Sequence, residues 1–260
     1  MKRQIFRRSF VLAFLFALVF DLSRLATAQT GNFTIAQNGK PVGTATSSVT
    51  STGHGYDTRS VVRVAMQGLT YSLSKTEQLT TANHLRHVQL SAVVNNSAVN
   101  LTAAPDAAQF LLNVSASGKS STARLAFHAG AVLLPDFDPG ALETLLALGV
   151  MQNNRDLWVI LPKQAGTQAG SIVPVQLATY ADEEGTLDGK ALSVHHLVAT
   201  IAGTRTELFS APDNRLMQAE LPQQGFALVR KGFVLTPPAK PGAPPAEQPG
   251  APQTQAPVSQ

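Results

Sequence analysis

Residues Phe137 to Val150 read FDPGALETLLALGV, and the way this stretch folds decides how the rest of the chain is arranged. Asp138 is a helix N-cap residue, and Pro139 falls at the first helical position, where its missing N–H leaves nothing unsatisfied. With about 100° of rotation per residue, Leu142, Leu145, Leu146, Gly149 and Val150 share one face, while Glu143, Thr144, Ala147 and Met151 turn away. Asn153 and Asn154 then supply residues that tolerate the left-handed conformation ending many helices. Burying the leucines of that face is worth roughly 5–8 kcal/mol. One helix with one apolar face needs a sheet to lie on.

The flanking sequence supplies strands. Phe33 and Ile35 alternate with polar neighbours before Asn38-Gly39, the strongest short hairpin signal. Val62, Val64 and Met66 share a face; Gln67-Gly68 turns the chain; Leu69, Tyr71 and Leu73 then alternate with Thr70, Ser72 and Ser74. The rhythm repeats through Val88-Leu90-Ala92, Asn95-Asn96, Phe110-Leu112-Val114 and Ser117-Gly118. Beyond the helix, Leu157 to Leu161 is apolar throughout, as in a strand covered on both sides. Asp188-Gly189 introduces a long strand from Ala191 to Ile201, and Gly203, Asp213-Asn214 and Gln224-Gly225 separate the last strands, which end near Phe233. Consecutive hairpins predict an antiparallel meander, and the class is mainly β, a β-rich α+β arrangement with one helix.

Both ends differ from this body. Lys2, Arg3, Arg7 and Arg8 precede an apolar run from Ser9 to Phe20, and Ala26-Thr27-Ala28 follow, the three parts of a secretory signal peptide. The run is short for a bilayer span, so cleavage after residue 28 is expected, with an uncleaved anchor as the other reading. Residues 1–28 hold five basic side chains (Lys2, Arg3, Arg7, Arg8, Arg24) and one acidic (Asp21), so their removal leaves 15 of each sign. No basic footprint for nucleic acid or an anionic membrane surface survives. The chain has no cysteine, which excludes lipidation at a cysteine, disulfides and a thiol nucleophile. Residues 29–235 suffice for a single β-rich domain in an exported, periplasmic or extracellular protein. Residues 236–260, rich in Pro, Ala and Gln, lack apolar periodicity and are expected to form a disordered tail.

Chemistry-bearing motifs are weak. Gly118-Lys119-Ser120 resembles the end of a phosphate loop, but Asn113 stands where such a loop needs glycine, and the segment lies between strands. His195 and His196 are adjacent, so on a strand they point to opposite faces and cannot chelate one metal together. A metal site would need distant partners, for instance His195 with His128. Asp182-Glu183-Glu184 lacks calcium-loop spacing, and no serine sits in a nucleophile elbow. No catalytic residue, metal ligand set or cofactor is assigned. Three tyrosines and one tryptophan are too few for the aromatic girdles of an outer-membrane barrel.

The order of parts carries a resemblance. Gly31-x-Phe33-x-Ile35-x-x-x-Gly39-x-x-Val42-Gly43 opens the meander, a helix sits in its middle, and Thr206-Glu207-Leu208-Phe209, Asp213-Asn214, Arg215-Leu216 and Glu220 close it. Over roughly residues 31–234 this resembles exported bacterial families of unknown function similar to the periplasmic lipoprotein-carrier superfamily. The resemblance implies a strongly curved half-barrel whose concave face takes the helix and holds a hydrophobic cavity, and it implies no catalytic residues. Ligand contacts would then fall on Phe137, Leu142, Leu145, Leu146, Val150 and Trp158, six residues that an ordinary core would use equally well. The partner expected is a hydrophobic small molecule or lipid. The alternative is a fully packed envelope module that engages a protein partner.

Overall fold

A computed structural model of the chain describes residues 29–153, 155–162 and 170–237. The expected signal peptide, Asn154 and the tail beyond Pro237 lie outside the described residues. The first half is one continuous meander of β1 (Gln29–Gln37), β2 (Lys40–Thr52), β3 (Gly55–Met66), β4 (Leu69–Leu79), β5 (Leu85–Val94), β6 (Ser97–Asp106), β7 (Gln109–Ala116) and β8 (Lys119–Ala126). After β9 (Gly130–Leu133) and helix α1 (Pro139–Leu146) come β10 (Leu157–Pro162), β11 (Gly170–Thr179), β12 (Glu183–Leu187) and β13 (Lys190–Ile201). The chain then runs through β14 (Thr204–Ser210), β15 (Leu216–Leu221), β16 (Phe226–Arg230) and β17 (Phe233–Leu235).

The two halves join where β1 pairs antiparallel with both β2 and β16. From there the ladder runs one way to β8 and the other way through β15, β14, β13, β11 and β10 to β9. The result is a curved, open, mainly β sheet with one helix on its concave side. Turn chemistry explains the hairpins. Asn38 (φ 48°) and Gly39 (φ 77°) are both left-handed, as the tightest hairpin turn requires. Gly118-Lys119-Ser120 lies at the β7–β8 turn, so the apparent phosphate loop is a hairpin.

The sequence predicts an antiparallel meander throughout, but β9 and β10 pair in parallel, with α1 in the crossover between them. Such a crossover cannot be made by a tight turn, which is why the helix sits at this point in the chain. All of β9 is buried, and the Leu133 carbonyl reaches Lys75 of β4 across the interior. The β11–β12 junction also departs from a plain meander. Between β11 and β12 the chain bends, so that both pair successive parts of β13, and β12 then pairs with β17. This small sheet covers a second apolar cluster of Val194, Phe209, Ala211, Met217 and Phe233.

The helix also differs from its predicted form. Its α part ends at Leu146 and continues as a π-helical turn, Ala147–Met151, before Asn153 adopts φ 47°. It is buried well beyond one face, for Thr144 and Leu148 are buried together with Leu142, Leu145 and Leu146. A helix resting on a flat sheet exposes its far side; this one lies inside a curve, touching β2, β3, β9 and β15. It shares one core with Phe33, Ile35, Val62, Leu112 and Leu208 from both halves of the sheet.

Gly43 shows how closely β2 and β3 approach. It follows a bulge at the β1–β2 register shift, and a Cβ there would lie 2.2 Å from the Arg63 carbonyl oxygen. Backbone cannot rotate aside as a side chain can. Gly43→Ala is therefore expected to lower stability by about 1–3 kcal/mol, read as a lower urea midpoint with unchanged slope.

Candidate functional site

The segment from Leu134 to Leu142 builds the mouth of the concave side. Phe137 is left-handed (φ 57°), which turns the chain sharply from β9 into the helix. Asp138 then caps the helix, its Oδ1 accepting from the backbone N–H of Gly140 (2.9 Å) and Ala141 (3.3 Å). Beside this turn opens a cleft of about 280 Å³ between the start of the helix and the β13–β16 half of the sheet. Its walls are mostly apolar: Phe137, Leu142, Ile201, Leu221, Phe226 and Leu228 face it. The rings of Phe137 and Phe226 meet edge to face at 4.9 Å, and Tyr71 packs behind Phe137 at 6.5 Å.

The structure distributes the six predicted residues among different places. Phe137 and Leu142 line the cleft. Leu145 and Leu146 are fully buried in the core. Val150 faces a separate hollow of about 560 Å³ at the far end of the helix. Trp158 is half-buried and stacks on His128 at 3.7 Å, while its indole N–H donates to Asp156. His128 is thereby held against Trp158, and His195 instead bonds Asp182 at 3.0 Å. The walls that sequence reasoning missed come from β13, β15 and β16. Their signal was available, since Ile201 and Phe226 each sit beside a turn that the sequence marks, but neither turn says which way a neighbour points.

Two buried ionic clusters fix the helix beneath the cleft. At its start, Lys75 Nζ lies 2.7 Å from Asp138 Oδ2 and 3.3 Å from Glu77 Oε2, and donates to the Leu133 carbonyl at 3.4 Å. The Thr58 hydroxyl also donates to Glu77 Oε2. Glu77 Oε1 has no hydrogen-bond partner among the described residues. Burial pulls the Lys75 ammonium down, but Asp138 and Glu77 outweigh it and leave the group above its ordinary value. Burial pushes the Glu77 carboxyl up, and Lys75 only partly reverses this.

On the helix flank, Glu143 accepts from the Ser47 hydroxyl and from Arg230, both at 2.8 Å. Arg230 also donates to the carbonyls of Leu216 and Thr30, and lies over the Phe33 ring at 4.8 Å. Strands β1, β2, β15 and β16 are thus tied to one helical carboxylate. In each cluster a hydroxyl, Thr58 or Ser47, donates to the carboxylate that the cation also meets. Among the described residues, no three His, Asp or Glu side chains gather as metal ligands.

A crystal structure described as a β-barrel-like protein of the domain of unknown function DUF1849, from Brucella abortus, superposes on this chain with a TM-score of 0.50. It covers 83% of this chain and 100% of that one at 11% identity. The likeness is one of fold, and it is to a barrel-like protein of unknown function rather than to the lipoprotein carriers in particular. No family model and no curated protein matches the sequence.

Proposed function

We propose that the protein is an exported, non-enzymatic binder of a slender apolar group, such as a lipid or acyl chain, which it holds in the cleft at the start of the helix. The carrying observation is the wall chemistry of that cleft: apolar side chains from the helix and from β13–β16 leave about 280 Å³ open on the concave side. That volume is near the lower end of the range for small-molecule sites, roughly 300–1,000 Å³, and suits one chain better than a bulky ring system. The lipoprotein-carrier resemblance of the sequence supports the same use of the concave face. So does the N-terminal signal pattern, because an exported binder of apolar groups meets membrane lipids outside the cytoplasm.

Thr204 supplies the test, since it lines the cleft without belonging to the buried core. Purified protein is expected to take up the neutral dye Nile red and to yield a bound amphiphile in native mass spectrometry. Thr204→Trp fills the space and is expected to weaken dye binding by about tenfold, the loss of roughly 1.4 kcal/mol of contact, with an unchanged melting temperature. Protein that is empty and takes up no dye counts against the reading, as does undiminished uptake by the tryptophan variant.

A second reading, a packed envelope module, draws on the full burial of Leu145, Leu146 and Leu148. Pull-down of an envelope partner that depends on residues 238–260, from a protein that binds no dye, would favour it.

A further inference from the structure

Phe137 stands at the mouth of the cleft in a backbone conformation that its side chain disfavours. Among the described residues, every other left-handed non-glycine position is Asn, Asp, Ser or Ala, most of them in hairpin turns, whereas Phe137 (φ 57°) is a large aromatic outside any hairpin. Strain of this kind persists only where the surroundings impose it. The chain is anchored on both sides. Before Phe137, the Leu134 N–H donates to the Ile160 carbonyl at 3.0 Å, Pro135 is buried, and the Tyr71 hydroxyl donates to the Asp136 carbonyl at 3.5 Å. After it, Asp138 is held by its helix cap and by Lys75, and Pro139 keeps it extended. Phe137 is thus a strained joint between two fixed stretches.

The ring on this joint reaches from the helix side of the cleft to the sheet side, where it meets Phe226 edge to face with centroids 4.9 Å apart. Phe226 is the fixed member of the pair, because its backbone is paired with Leu221 on one strand and with Gln37 on another. In Phe137 the two effects oppose each other: ring contact favours the closed position, and relaxing the left-handed backbone draws the ring off Phe226. They are of similar size, so neither position dominates. We propose that Phe137 is the gate of the cleft, closing on Phe226 over a bound apolar chain and turning at its own backbone to admit or release it. This inference rests on the apolar-binder reading and adds the control of entry to it. Gating motions take microseconds to milliseconds, slow enough to limit the entry of a small apolar molecule.

Stopped-flow fluorescence of the purified protein with Nile red in excess reads the gate directly. In wild type the association rate is expected to level off as dye concentration rises, because opening becomes the limiting step. Phe137→Leu keeps an apolar side chain but loses the ring contact, and should raise that plateau about tenfold and speed dissociation as well. Phe226→Leu removes the same contact from the opposite wall and should act in the same direction, so the test stands even if one of the two variants fails to fold. A wild-type association rate that stays proportional to dye, or variants in which dissociation alone speeds up, makes the ring a plain wall. Unchanged or slower entry in the variants gives it no gating part. Each of these results overturns the gate and leaves the apolar-binder reading standing, whereas wild-type protein that takes up no dye overturns both.

Discussion

Replacing Lys75 with methionine is expected to lower the unfolding free energy by about 3–5 kcal/mol, the usual cost of breaking a buried ion pair from one side. The Lys75 side chain is 0% exposed, and so are the two carboxylates it faces, Asp138 and Glu77. Without the ammonium, the buried Asp138 carboxylate is left with no cation, Glu77 loses its ionic partner, and the Leu133 carbonyl loses its donor. Methionine keeps most of the side-chain volume, so the loss reports charge and hydrogen bonding rather than a cavity. Lys75→Ala adds the cavity and should fall further. Exchanging the partner as well, in Lys75→Met with Glu77→Leu, should recover part of the stability, because one of the buried polar groups left without its partner is gone. Asp138 also caps the helix and lines the cleft, so the single variant should loosen the mouth and weaken dye uptake as well. Urea unfolding of the variants provides the measurement, and a Lys75→Met midpoint equal to wild type would show that the cluster does not hold the helix.

This cluster marks the boundary of what was legible in the sequence. The helix start was readable because Asp138 and Pro139 act on their immediate neighbours, and the hairpins were readable because Asn-Gly and Asp-Gly pairs fix their own backbone. The mainly β architecture followed from repeating those local signals, and its curvature was implied by the family resemblance alone. In the structure the alternation of Tyr71 and Leu73 runs on through Lys75, Glu77 and Leu79, all on the inward face, an extension the sequence reading did not draw. Period two pointed to that face, but the chemistry of lysine and glutamate pointed to water, and only the distant Asp138 resolves the conflict. Leu148 was missed for a related reason. A one-sided helix assumes a flat support, and the enclosing curve buries nearly every side. The parallel β9–β10 pair depends on four residues, Gly130 to Leu133, too few to carry a pattern. The cleft was least legible of all, because half of its wall comes from strands more than 50 residues beyond the helix that faces them.

The same buried carboxylates give the protein an acid-leaning stability profile. Glu77 sits above its ordinary carboxylate range: burial is the main cause, Lys75 pulls it back, and the charge of Asp138 raises it again. Glu143 is also raised, since burial outweighs the Ser47 hydrogen bond and the Arg230 charge. A carboxyl with a raised native pKa keeps a proton that the unfolded chain has already released. Its contribution is complete below the unfolded value and is lost as pH climbs through the native one. Lys75, raised as well, stays protonated in both states across this window and adds no slope. Stability should therefore fall as pH rises above the unfolded carboxylate range, by up to about 1.4 kcal/mol per pH unit for each excess proton. Glu77→Gln keeps the shape of the side chain and removes its titration, so that variant should show a shallower fall while Glu143 continues to contribute. Melting temperatures taken at pH 5, 6, 7 and 8 decide the matter. A wild-type profile that rises over this range, or one that Glu77→Gln reproduces without change, would mean that Glu77 is ionised in the folded protein. The cluster would then have to hold two carboxylates against one ammonium with Glu77 Oε1 unanswered, and the strain of that arrangement should reappear as a stability gain in Glu77→Gln at pH 8.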